Sequence, residues 1–236
     1  MTDIVLVHGA FHGGWCWNEV AAVLTSSGHR VLRPTLTGLA DRRHLLDASV
    51  DLDTHIDDIV ETIHYEECHD IVLVCHSFGA VPGIGAADRM ADRIRALVLL
   101  DALVPVDGLS SSQVRDLSTV AWPMDLAGVA VDPPSSAVFG ITEEHRARID
   151  ALLTPHPVGT FTQPIALRGA YESIPTKHYH RFSRYEAAYM DASADRVAAA
   201  GWQVRVHDCA HDMMLIDPDW TAALVIEADR ESRRAR

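Results

Sequence analysis

Ile71-Val72-Leu73-Val74-Cys75-His76-Ser77-Phe78-Gly79-Ala80 is the stretch whose reading decides the fold. Residues 71–75 are apolar and rich in β-branched types. That predicts a strand buried on both faces, and hence a parallel sheet. Small residues follow (Ala80, Gly83, Gly85, Ala86, Ala87) and predict a helix packed tightly on the sheet. Ser77 stands on the sharp turn between the two. A serine in this position holds its Oγ clear above the sheet, and small neighbours are required because the turn is strained. Cys75 occupies the place where glycine is commonest, so the pattern reads Cys-x-Ser-x-Gly. The competing reading of Ser77 is a helix-capping serine.

Upstream, residues 3–7 predict a strand, residues 8–15 a Gly-rich turn, and residues 15–27 a helix with Trp17, Val20, Val23 and Leu24 on one side. The turn could cradle phosphate, but it holds no G-x-G-x-x-G and no Walker lysine. A short strand follows at 30–34, then a loop, then a helix capped by Asp51 or Asp53 and striped by Ile56, Ile59, Val60 and Ile63. Downstream of the serine, residues 96–100 form another apolar strand, ending at Asp101. Alternating strands and helices predict an α/β fold with a doubly wound, mostly parallel sheet. Functional groups in such a sheet gather at the carboxyl ends of its strands. His8, Ser77 and Asp101 all sit at such ends.

Between 105 and 173 the rhythm breaks. Seven prolines, helical pieces at 112–119, 143–153 and 163–171, and scattered large apolar residues replace the strands. This stretch reads as a small helical lid inserted after Asp101 in a single domain, with a core of 1–104 and 174–236. Trp122, Met124, Phe139 and Phe161 are its candidates to face a substrate. A strand at 178–182, an Ala-rich helix at 186–200, a last strand at 202–206 and a final helix from Pro218 to about 228 complete the core. The basic tail 230–236 is expected to fray.

The chain has 236 residues, 48% of them hydrophobic, enough for one large core. Its net charge of −13 argues against nucleic acid, which needs clustered Lys and Arg. No apolar run approaches membrane-spanning length, and no basic leader precedes the first strand. The four cysteines form no C-x-x-C pair and are expected to be reduced, consistent with the cytoplasm. The 14 histidines raise the question of metal, notably His178 with His180 and His207 with His211. No acidic or thiol ligand joins them at ligand spacing, so no metal is expected.

Four motifs in order resemble one family. They are Val7-His8-Gly9-Ala10-Phe11-His12-Gly13-Gly14-Trp15-Cys16-Trp17, Cys75-His76-Ser77-Phe78-Gly79, Leu100-Asp101-Ala102-Leu103-Val104-Pro105 and Ala210-His211-Asp212-Met213-Met214. Together they are similar to the α/β-hydrolase branch of plant methyl esterases, hydroxynitrile lyases and their bacterial esterase relatives. The resemblance covers roughly 3–105 and 176–225 and reaches the lid only in length and helical character. It implies Ser77 as nucleophile, His211 as general base, and backbone N–H groups of Phe11 (or Ala10) and Phe78 as the oxyanion hole. His12 would lie near the pocket mouth, in reach of substrate, and His76 behind the serine. The acid departs from the plant pattern, which resembles Thr-x-Asp after the strand equivalent to 178–182. Here Ser183-Arg184-Tyr185-Glu186 stands there. Asp101 is therefore the expected acid, ahead of Glu186 and Glu172.

The implied reaction is hydrolysis of a small to medium, largely apolar carboxylic ester through an acyl-serine, without a cofactor. The expected partner is that small-molecule ester, and a homodimer is left open. Two alternatives stand. The first is lyase or natural-product tailoring chemistry on the same Ser/His pair. Lyases of this branch look to carry a lysine after the histidine, where this chain has Asp212, and an acid would repel cyanide. The second is a receptor-like binder with poor turnover, which intact Ser77 and His211 argue against.

Overall fold

The computed structural model describes residues 1–115 and 124–234. Eight strands are found among them: β1 (Asp3–Val7), β2 (Arg30–Leu32), β3 (Ile71–His76), β4 (Ile94–Leu100), β5 (Ala130–Val131), β6 (His156–Pro157), β7 (Thr176–Phe182) and β8 (Gln203–His207). Six form one sheet in the order β2-β1-β3-β4-β7-β8, every pairing parallel. The order reverses beside β1 and β3, and the carboxyl ends there are the natural place for a site.

β3 is buried along its whole length. Alternation divides it between two cores: Ile71, Leu73 and Cys75 face one, Val72 and Val74 the other. Such a strand has no polar face, as its unbroken apolar run requires. One core is covered by α2 (Leu52–Tyr65), α3 (Ala80–Arg89) and α7 (Ala188–Ala199), the other by α1 (Asn18–Ser26) and α9 (Pro218–Arg234). Asp51 is the cap of α2, its carboxylate accepting the Thr54 N–H at 2.9 Å.

The segment joining β4 to β7 contains the short helices α4 (Ser111–Val114), α5 (Glu143–Asp150) and α6 (Val158–Thr162). It differs from expectation in two ways. First, β5 and β6 pair antiparallel within it, at two residues each too short to leave a periodic signal. Second, the helix expected at 163–171 is absent, and α6 ends at Thr162. Pro164 disfavours helical backbone at Gln163, and the Gln163 side chain instead accepts the Leu52 and Asp53 N–H groups at the start of α2, at 2.7 and 3.2 Å.

The C-terminal helix also outruns its expected end near 228. After the short α8 (Met213–Ile216), α9 continues to Arg234. Asp229, Ser232 and Arg233 bind into a buried cluster with Thr2 and Arg95, in which Thr2 donates to Asp229 at 2.8 Å. The two ends of the chain meet there, below the amino ends of the strands. No helix of the described residues is long and apolar enough to cross a membrane. All four cysteines are free thiols. Burial pushes Cys68 and Cys209 up to about 11, so neither is reactive near neutrality.

Candidate active site

Ser77 follows β3 directly, with φ at 54°. A non-glycine residue holds that left-handed conformation only where its surroundings enforce it. The enforcement comes from close packing around the turn. A Cβ on Gly79 would lie 2.3 Å from the His8 carbonyl oxygen, and one on Gly9 3.0 Å from the Ser77 Cβ. Cys75 takes its room from the helix behind it, because a Cβ on Gly83 would meet the Cys75 Sγ at 2.3 Å. The glycine missing from the strand is supplied by α3.

Three side chains form a hydrogen-bonded row at the carboxyl ends of β3, β4 and β8. Ser77 Oγ lies 2.9 Å from His211 Nε2, and His211 Nδ1 lies 2.6 Å from Asp101 Oδ2. Asp101 is fully buried and follows β4 with φ at 43°. Its second oxygen accepts from Arg181 at 2.7 Å and from the Phe182 N–H at 3.0 Å. A carboxylate so held fixes the tautomer of His211, leaving Nε2 free to accept the serine proton. Arg181 itself is anchored to Asp191 and to the Tyr185 carbonyl. Glu186 and Glu172 are exposed, and Glu172 pairs with Lys177, so neither is the partner of His211. The His211 ring is sandwiched by Tyr185, stacked at 4.1 Å, and by His76 at 4.5 Å.

The Gly-rich loop after β1 forms the other wall. His8 is sealed in beneath it, accepting the Leu36 N–H on Nε2 and donating from Nδ1 to the Gly9 carbonyl. Burial lowers its pKa to about 3 and keeps it neutral. Phe11 has φ at 67°, and its N–H is directed to Nδ1 of His156, 3.2 Å away in the β4–β7 segment. That N–H is therefore engaged, and the N–H groups of Ala10 and Phe78 are the remaining members of the expected set. Both line the cavity in front of Ser77. The Phe11 carbonyl is held by the same segment, accepting the Thr154 N–H at 3.0 Å.

His12 lines the same cavity. Its Nδ1 faces the Ala10 carbonyl at 2.7 Å and its Nε2 faces Asp212 at 3.1 Å. Two acceptors call for two protons, and although burial opposes the charge, Asp212 raises the His12 pKa above its usual value. In return Asp212, despite burial, is held below the usual carboxylate range. Asp212, which follows His211 in the chain, is thus held in a buried pair with His12. His76 donates from Nε2 to the His211 carbonyl at 3.1 Å and is kept neutral by burial and by the neighbouring His211. It braces the base from behind.

Of the expected substrate-facing residues, Phe139 lines the cavity. Phe161 does not: it packs behind Phe78 at 4.9 Å and against His156 at 4.4 Å. Met124 packs on the core rather than in the described cavity wall, and Trp122 lies outside the described residues. Arg115, Tyr185, Tyr189 and Met190 line the cavity without having been singled out by sequence. They come from α4 and the β7–α7 region, and nothing in their local spacing marks them. A larger hollow of about 740 Å³ lies between α1, α5 and α8 but contains no activated nucleophile, so chemistry rather than volume identifies the site. Among the described residues, His76, His211 and Asp212 come close enough to hold a cation. Both ring nitrogens of His211 are engaged, by Asp101 and by Ser77, so the group does not offer three free ligand atoms and does not fit a resident metal.

A parallel sheet with this serine turn and this carboxylate–histidine row defines the alpha/beta hydrolase family, and the chain belongs to it: the family model matches residues 4–224. Within the family it falls in the branch of the plant methyl esterases and hydroxynitrile lyases. It is 35% identical to a carbendazim hydrolyzing esterase of Nocardioides sp. (strain SG-4G), over 93% of this chain and 96% of that one. It is 34% identical to an alpha-hydroxynitrile lyase of Arabidopsis thaliana, over 48% of this chain and 44% of that one. An extracellular alpha/beta-hydrolase from a Paenibacillus species superposes with a TM-score of 0.78 at 20% identity, covering 97% of this chain and 99% of that one, which speaks to the fold.

Proposed function

We propose that the protein hydrolyses carboxylic esters through an acyl-serine intermediate. The observation that carries this reading is the row Ser77–His211–Asp101, at 2.9 and 2.6 Å. His211 takes the proton of Ser77 as its Oγ attacks the ester carbonyl, and returns it to the departing alcohol. Ala10 and Phe78 supply N–H groups to the oxygen as it becomes negative. Water then repeats the sequence on the acyl-serine and regenerates the enzyme. The aromatic wall suits an apolar acyl or alcohol group. Carbendazim, for which the Nocardioides relative is named, is a first candidate substrate.

Short acyl p-nitrophenyl esters, aromatic methyl esters and carbendazim, given to the wild type and to Ser77→Ala, test the proposal. Turnover is expected in the wild type and is expected to fall by about 10⁴-fold or more in the variant. Turnover that survives in Ser77→Ala would remove the serine from the mechanism.

A further inference from the structure

We infer that Arg115 is a recognition point for a carboxylate on the substrate, remote from the scissile bond, so that the favoured substrates are half-esters of dicarboxylic acids. The inference rests on Ser77 being the ester-cleaving group and adds the class of ester.

Arg115 follows α4 and is 8% exposed. It forms part of the wall of the cavity that holds Ser77 and His211. Its Nε is shut off from solvent without a hydrogen-bond partner. Among the described residues no acidic side chain pairs with it. What it does have is the face of Tyr189, 5.0 Å from its Cζ. A ring face attracts the charge but offers no lone pair to the in-plane N–H groups. Another basic side chain on this wall, His12, already has Asp212. Arg115 is thus the charge on the cavity wall whose partner is not supplied by the described protein.

A guanidinium is charged at any pH the protein meets, and burying it without a counter-charge is unfavourable. In the same cavity, Phe11, Phe78, Leu103, Phe139 and Met190 are apolar. For a purely apolar ester a leucine at 115 would complete that wall at lower cost. The planar fork of Arg instead matches a carboxylate through two parallel hydrogen bonds. An apolar wall in the cavity that the fork and the serine share suits a flat hydrocarbon spacer. A benzenedicarboxylate mono-ester combines these features.

The test is calorimetric, on Ser77→Ala protein so that no ligand is consumed. The ligands are the monomethyl and dimethyl esters of the isomeric benzenedicarboxylic acids, at neutral pH. At least one half-ester is expected to bind about tenfold or more tightly than its diester, the scale of a charge-assisted pair. The half-ester to diester ratio should fall to about one when Arg115→Leu is added, and Arg115→Lys should restore part of it. Tighter or equal binding of the diester for every isomer overturns the inference without any change at 115. So does a preference that survives Arg115→Leu. Methyl benzoate, tested for turnover by the wild type, separates the two readings. Turnover of it with no half-ester preference in binding rejects the role of Arg115 alone. A half-ester preference with no ester turned over rejects the role of Ser77 alone.

Discussion

Asp101 accepts from His211, Arg181 and the Phe182 N–H together, and is closed to water. Every donor around it is oriented for a carboxylate. Asp101→Asn would turn an NH₂ group toward either His211 or the Arg181–Phe182 pair, and in the first case would favour the wrong imidazole tautomer. Turnover of a p-nitrophenyl ester is expected to drop by about 10³- to 10⁴-fold, on the precedent of the protease triad. Near-wild-type turnover would show that another acid orients His211. A carboxylate at 101 also leaves no need for one after β7. Arg181 and the Phe182 backbone, on that strand, have become donors to a carboxylate on its neighbour. Asp101 was legible in the sequence because it ends an apolar strand. Arg181 was not, since a lone arginine in a strand carries no mark of its partner.

Described residues of the segment between β4 and β7 line the cavity and also brace its loop. Thr154 and His156 hold both backbone groups of Phe11. His156 donates from Nε2 to Thr160 Oγ1, whose own proton goes to the Pro157 carbonyl, so Nδ1 is the acceptor. Burial keeps this ring neutral, its pKa pushed well below the usual value. His156→Ala is expected to lower kcat by about tenfold or more with a smaller change in KM, because the loop to which the proposed mechanism assigns an oxyanion N–H loses its anchor rather than the substrate its contacts. His156→Gln, whose carbonyl can accept the same N–H, should recover part of the loss. Unchanged kcat in the alanine variant would show the loop to be held without it. The core elements were legible because long apolar runs and capped amphipathic helices are local signals: β3 and α2 lie close to where periodicity placed them. The role of His156 was not, because a single histidine among prolines has no period and its partner is 145 residues away.

Across the whole molecule, a set of histidines is folded in as neutral rings. Burial sets His8 and His180 at about 3 and His55 at about 4, against about 6.5 in an unfolded chain. Below that value the unfolded chain takes up protons that the folded one refuses, so stability falls as pH falls. Between pH 7 and pH 5 each of the three withdraws on the order of 2 kcal/mol, a large share of the 5–15 kcal/mol typical of a domain. The urea midpoint is therefore expected to drop markedly from pH 7 to pH 5, and an unchanged midpoint would contradict the neutral, buried state of these rings. The packing of Cys75 against Gly83 bears on the history of such a chain. Where the serine turn is written Gly-x-Ser-x-Gly, the helix is free to carry a side chain at the facing position; here the space has been traded from strand to helix. A lineage passing between the two arrangements must shrink one partner before it enlarges the other. The route between them runs through glycine at both positions, whichever way it is travelled.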